Sequence, residues 1–209
     1  MSQIKKHQNF FFLYCCLITA LISACGFLFT GEKKALIKDD ITFIAGPEYA
    51  ETVLPLLKSA KKKIYIAMYV MSYQPKRHYA IENKFVEALI EAHRKGVEVK
   101  VVLDASREWN PKTRRMDGKE SKKNQKSFNA LKKAGVPVFY DTLDQIMHAK
   151  SIQIDERMVI LGSTNWTYSA LKKNVEFSII LKTPKELRIY KKHFLKLWDA
   201  AKNKKKWNP

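Results

Sequence analysis

Beyond residue 25 the chain contains no cysteine, since Cys15, Cys16 and Cys25 are its only three. That excludes a disulfide framework and a cysteine-based metal site from the bulk of the protein. His78, His93, His148 and His193 show no His-x-x-x-His or comparable metal spacing, so neither zinc nor any other cofactor is expected. Acidic residues are scarce: 20 Asp and Glu face 39 Lys and Arg, a formal charge of +19. An excess of that size points to a polyanionic partner, and both nucleic acid and an anionic lipid surface qualify as dense phosphate arrays. Charge does not choose between them. Internal repeats are lacking too. With 209 residues and 46% hydrophobic side chains, one globular domain is the expectation.

Lys5 and Lys6 precede an apolar run from Phe10 to Ile22, followed by the small residues Ser23 and Ala24, which is the pattern of an export signal. Ile22-Ser23-Ala24-Cys25 resembles a bacterial lipobox, in which Cys25 would be lipidated and become the mature N-terminus. Because apolar residues continue to Phe29, the stretch from Phe10 to Thr30 also reads as an uncleaved membrane anchor of roughly 20 residues. Full release is the third reading. Residues 1–30 are thus an export or anchor segment, 31–40 a polar linker, 41–201 the globular domain and 202–209 a basic, fraying tail. This places the domain in a bacterial envelope, outside the cytoplasm, with a membrane as partner of its N-terminal segment.

From Ile41 onward short β-rich runs alternate with amphipathic helical ones, the pattern of an α/β domain. Strands are predicted at Ile41–Ala45, Ile64–Val70, Val97–Leu103, Val136–Tyr140, Ser151–Ile154, Met158–Leu161 and Val175–Leu181. Helices are predicted at Ala50–Lys62, Ile81–Lys95, Ser121–Ala134 and Pro184–Ala201, with Gly96 and Gly135 as stops.

The informative stretch is His148-Ala149-Lys150, then Asp155, then Gly162-Ser163-Thr164-Asn165 in a loop leading into a helix. On a strand, His148 and Lys150 face one side, where an imidazole and an ammonium reach the same phosphate. Imidazole serves as nucleophile or proton carrier near neutral pH. Lys150, Ser163 and Asn165 supply donors for non-bridging phosphate oxygens, so a divalent ion is not needed.

The string resembles the HKD motif of the phospholipase D superfamily, H-x-K-x4-D-x6-G-S-x-N, at every defining position and gap. Asn174-Val175-Glu176 is similar to the acidic element that follows the motif, which makes Glu176 the acceptor expected to orient the imidazole, and Ile64 to Ser72 is similar to the family's second core strand. The resemblance implies a mixed β-sheet sandwiched by helices (α/β/α) and a metal-independent phosphodiesterase acting through a phosphohistidine. It implies that Asp155 is architectural. A single motif copy further implies likeness to small bacterial Nuc-type endonucleases, whose two-fold homodimers share one active site.

Between Ser106 and Lys126 lie Arg107, Lys112, Arg114, Arg115, Lys119, Lys122, Lys123 and Lys126, a long basic loop read as gripping the phosphates beside the scissile one. Its alternative is a solvated connection. Trp166 and Tyr168 are candidates for stacking on a base or for core packing, and Tyr69 and Ser72 for the site mouth. Three functions compete: a nuclease for DNA or RNA, a phospholipase D-type lipid hydrolase, and an idle phosphate-binding module. The intact motif argues against the last, and the small size and high positive charge favour the first.

Overall fold

A computed structural model describes residues 40–208 apart from 106, 108, 109, 115–117, 119, 120 and 144. The expected export or anchor segment with Cys25, the linker up to residue 39, Arg115 and Lys119 lie outside the described residues. Among the described residues no helix is long and apolar enough to cross a membrane.

Seven strands form one mixed sheet: β1 (Ile41–Ala45), β2 (Lys63–Met68), β3 (Glu98–Leu103), β4 (Val138–Tyr140), β5 (Lys150–Ile154), β6 (Met158–Gly162) and β7 (Phe177–Leu181). Their order is β1-β7-β6-β5-β2-β3-β4. Strands β2, β3 and β4 run parallel, while β5, β6, β7 and β1 each pair antiparallel with their neighbours. Among the described residues five α-helices accompany them: α1 (Tyr49–Lys58), α2 (Ile81–Arg94), α3 (Gln125–Lys133), α4 (Tyr168–Lys172) and α5 (Pro184–Lys202).

β2 shows how the sequence produces the layers. Every residue after Lys63 in this strand is buried, as expected of a central strand covered on both faces. Ile64, Ile66 and Met68 join the larger core with Val53, Leu57, Phe85 and Leu89 from α1 and α2. The alternate residues Tyr65 and Ala67 face the other way, against Phe194 and Ala201 of α5. The result is the α/β/α sandwich implied by the resemblance.

Elements end where a competing partner takes the backbone. The predicted helix to Lys62 stops at Lys58, and the N–H groups of Lys61, Lys62 and Lys63 donate instead to the Asp155 carboxylate. The helix expected from Ser121 begins at Gln125, because Asn124 turns its side chain inward and bonds Met71, Tyr69 and Asp104. Gly96 and Gly135 close α2 and α3 at φ of 85° and 79°, as left-handed C-terminal stops.

Candidate active site

The site forms at the carboxyl ends of the parallel strands, the usual place for a ligand in such a sheet. His148 lies two residues ahead of Lys150, the first residue of β5, so it sits on the approach to the strand and not within it. The two side chains still meet. Lys150 Nζ lies 3.1 Å from Nδ1 and 3.2 Å from Nε2 of His148 and donates to the His148 carbonyl at 2.8 Å. An ammonium so close to the ring disfavours the imidazolium. Accordingly burial first, and then the Lys150 charge, hold the His148 pKa below its ordinary value. Burial likewise lowers that of Lys150, with Glu176 pulling the other way.

β6 delivers the donor loop. A Cβ on Gly162 would fall 2.5 Å from the Phe177 carbonyl oxygen and closer still to Ser178 Oγ, so only glycine lets β6 approach β7 here. Ser163 follows, its N–H donating to the Phe177 carbonyl at 3.0 Å and its Oγ accepting the Phe177 N–H at 3.1 Å. Asn165 Oδ1 accepts the Val70 N–H at 3.2 Å, which leaves the Nδ2 donor for a ligand oxygen. His148, Lys150, Gly162, Ser163 and Asn165 together line a depression of about 360 Å³.

Glu176 is placed differently from the expectation. Its carboxylate accepts the Ser163 hydroxyl and, at 2.9 Å, the Asn174 amide, and makes no hydrogen bond to His148. Ser163 therefore directs its proton at Glu176, and must turn away from it to donate to a phosphate.

Asp155 is architectural in geometry. Its carboxylate accepts the N–H groups of Lys61, Lys62 and Lys63 at 3.2, 2.7 and 3.0 Å and pairs with Arg157 Nε at 3.2 Å. It ties the β5–β6 turn to the start of β2, about one strand length from His148.

Trp166 corrects the sequence reading. It is wholly buried, packed 4.6 Å from the Phe85 ring centroid with its indole N–H donating to Tyr49 Oη at 3.3 Å. No base can stack on it. Its role is to moor the donor loop: its N–H donates to the Val70 carbonyl and its own carbonyl accepts the Ser72 N–H. Tyr168 is exposed. In the basic loop, Lys112, Arg114 and Lys122 are exposed, whereas Arg107 donates to the Gly118 carbonyl at 3.3 Å. Lys123 is drawn inward, paired with Asp104 at 2.6 Å.

Asp104, Asn124 and Tyr69 complete the surroundings of His148. Asp104 and Asn124 were missed in the sequence, although a carboxylate just past a parallel strand was a usable signal for Asp104. Among the described residues no group of three or more His, Cys, Asp or Glu side chains converges as a metal-holding cluster.

Residues 53–198 match the family described as cardiolipin synthase, PLD-like domain, and the chain belongs to this phospholipase D-like family. Among curated proteins it is similar to the mitochondrial cardiolipin hydrolase of Danio rerio, 36% identical over 115 residues, covering 54% of this chain and 45% of that one. It is also similar to the phospholipase D of Rickettsia prowazekii (strain Madrid E), 30% identical over 150 residues, 72% of this chain and 60% of that one. The chain spans about half the length of these relatives. Among solved structures it resembles Nuc, a phospholipase D family member from Salmonella typhimurium, with a TM-score of 0.59 and 26% identity over 76% of this chain and 93% of that one. NucT from Helicobacter pylori shares the fold at a TM-score of 0.56 and 17% identity, over 76% of this chain and 95% of that one.

Proposed function

We propose that this protein is a metal-independent phosphodiesterase that cleaves nucleic acid, DNA or RNA, through a phosphohistidine at His148. The observation that carries the reading is the convergence of His148, Lys150, Ser163 and Asn165 on one open depression. The neutral imidazole attacks phosphorus, forming an N–P bond as the P–O bond to the leaving strand breaks. Lys150, Asn165 and the turned hydroxyl of Ser163 bind the non-bridging oxygens and take up the charge that grows in the transition state. The leaving oxygen needs a proton, and water must then attack phosphorus, lose its own proton and release the histidine.

One chain carries one such histidine. In this proposal the protein is a two-fold homodimer, and the His148 of the second subunit is the acid for the first step and the base for the second. The likeness to Nuc, which the chain covers almost end to end, and the formal charge of +19 favour nucleic acid. Exposed Lys112, Arg114 and Lys122, with Arg115, supply the flanking phosphate contacts. Binding then weakens with salt, and neutralising Arg114 and Arg115 flattens the slope by about one unit per lost phosphate contact. We place the domain in a bacterial envelope, tethered through the N-terminal segment and lipidated at Cys25.

A second reading, hydrolysis of membrane phospholipid, is favoured by an apolar groove of about 300 Å³ beside His148, lined by Ile146, Met147, Phe194, Leu197 and Trp207. One experiment separates the two. Plasmid DNA, RNA and phospholipid vesicles are each offered to the protein with and without EDTA. Nucleic acid cleavage unaffected by EDTA supports the proposal. Vesicle hydrolysis without nuclease activity transfers it to the lipid enzyme, and cleavage lost in EDTA and restored by magnesium refutes the mechanism.

A further inference from the structure

Asp104 follows β3 with only 1% of its surface exposed, and its carboxylate acts in two directions. Oδ1 accepts the N–H of Met147, the residue before His148, at 2.9 Å. Oδ2 pairs with Lys123 Nζ at 2.6 Å, and that ammonium lies 3.5 Å from the centroid of the Tyr69 ring. Tyr69 in turn packs against the His148 imidazole, their centroids 4.3 Å apart. Asn124, adjacent to Lys123, fixes the assembly from behind by donating to the Tyr69 carbonyl at 2.9 Å and to the Asp104 carbonyl at 3.0 Å. One buried carboxylate therefore reaches His148 both through the backbone and through a cation laid on an aromatic ring. A buried ion pair adds little net stability once desolvation is counted, so stability alone is a poor account of this arrangement.

Resting on the reading of His148 as nucleophile, we propose that Asp104 is its positioning residue, orienting the imidazole through Met147 and through the Lys123–Tyr69 stack. Lys123 is then a built part of the site and not a mobile clamp on distant phosphates. Asp104 itself never touches substrate.

The charges around the imidazole make this testable. They come from Lys150 on β5, Asp104 after β3, Lys123 ahead of α3 and Glu176 ahead of β7, with Tyr69 after β2 and His193 of α5 as titratable neighbours. Burial and Lys150 depress the His148 pKa, Lys123 depresses it further and Asp104 opposes them. Removing the Asp104 charge must lower it, and removing the Lys123 charge must raise it. Such shifts report the two charges beside the ring, while the positioning of the ring itself is read from kcat.

The test uses the full-length protein and two readouts. NMR titration of the His148 ring proton, assigned by its loss in H148Q, needs no turnover, and the acid limb of the kcat/KM profile reports the same group in action. Asp104→Asn keeps an oxygen for the Met147 N–H, and Lys123→Met keeps packing on Tyr69. The first is expected to move both readouts to lower pH, the second to higher pH, and the double variant back toward wild type. Asp104→Ala, which releases Met147, is expected to lower kcat on the order of 100-fold with KM little changed. Wild-type kcat in a folded D104A protein, or pH shifts in the same direction for D104N and K123M, overturns the proposal. Full cleavage by H148A would instead overturn the nucleophile reading, which the NMR titration leaves separate.

Discussion

Replacing Asp155 separates architecture from chemistry within the motif. Its carboxylate holds three backbone N–H groups, at 3.2, 2.7 and 3.0 Å, and the residue sits at φ 52°. Loss of these charged-acceptor bonds costs about 1.5–3 kcal/mol, since Lys61 and Lys62 are exposed and water replaces part of what is lost. An alanine in the left-handed region adds about 1–2 kcal/mol. Asp155→Ala is therefore expected to destabilise the domain by roughly 3–5 kcal/mol. Asp155→Asn, which keeps one oxygen and tolerates this backbone, costs about 1–2 kcal/mol. Asp155→Gly falls between them.

The pH dependence has a definite sign. Burial opposes the charge on Asp155, but the Lys63, Lys62 and Lys61 N–H groups and Arg157 outweigh it and hold the pKa below its ordinary value. Such a group stabilises the fold above its unfolded pKa of about 3.9, and that contribution is lost as pH falls through the folded value. In urea titrations the gap between wild type and D155N should close from about pH 5 downward. Wild-type stability in D155N and D155A with abolished turnover would refute the reasoning and make Asp155 a proton-transfer group. A gap that widens in acid would refute it as well.

Trp166→Ala removes a fully buried indole and is expected to cost about 3–5 kcal/mol, with Trp166→Phe milder; wild-type stability combined with weakened nucleic acid binding would restore the stacking role. For Asp141, burial pushes the carboxyl up to about 7, the Ala105 N–H partly offsets this and Asp104 adds to it. A raised acid loses stability as pH rises through the folded value, so Asp141→Asn should raise the melting temperature at pH 8 and much less at pH 5. Equal shifts at both pH values would contradict that cause. Lys150→Met is expected to lower kcat by about 10²–10³, as for loss of one oxyanion donor, and a loss confined to KM would deny Lys150 that part.

The layered fold was legible because its signals are local. The buried run of β2, the period of α2 and the glycine stops each declare themselves within a dozen residues, and they locate the elements to within a few positions. The motif was legible for a similar reason, since its gaps span one hairpin from His148 to Asn165. What failed depended on contacts distant in sequence. Nothing near Trp166 reveals that Phe85 and Tyr49 enclose it. Asn124 lay in a stretch read as a basic loop, yet it is buried and joins the ends of β2 and β3. Glu176 was expected at the imidazole, but Ser163 stands closer to it, a consequence of the β6–β7 register, which pairs Gly162 with Ser178.

The central claim is covalent chemistry at His148, and the direct measurement is chemical trapping. The protein is mixed in EDTA with an oligonucleotide carrying 32P at each internal phosphate, quenched in alkali, digested, and the labelled peptide sequenced. The account predicts one alkali-stable, acid-labile phosphoramidate at His148, absent from H148A and unchanged by EDTA. Rapid cleavage that leaves no label on His148 at any quench time, and that stops in EDTA, would contradict it.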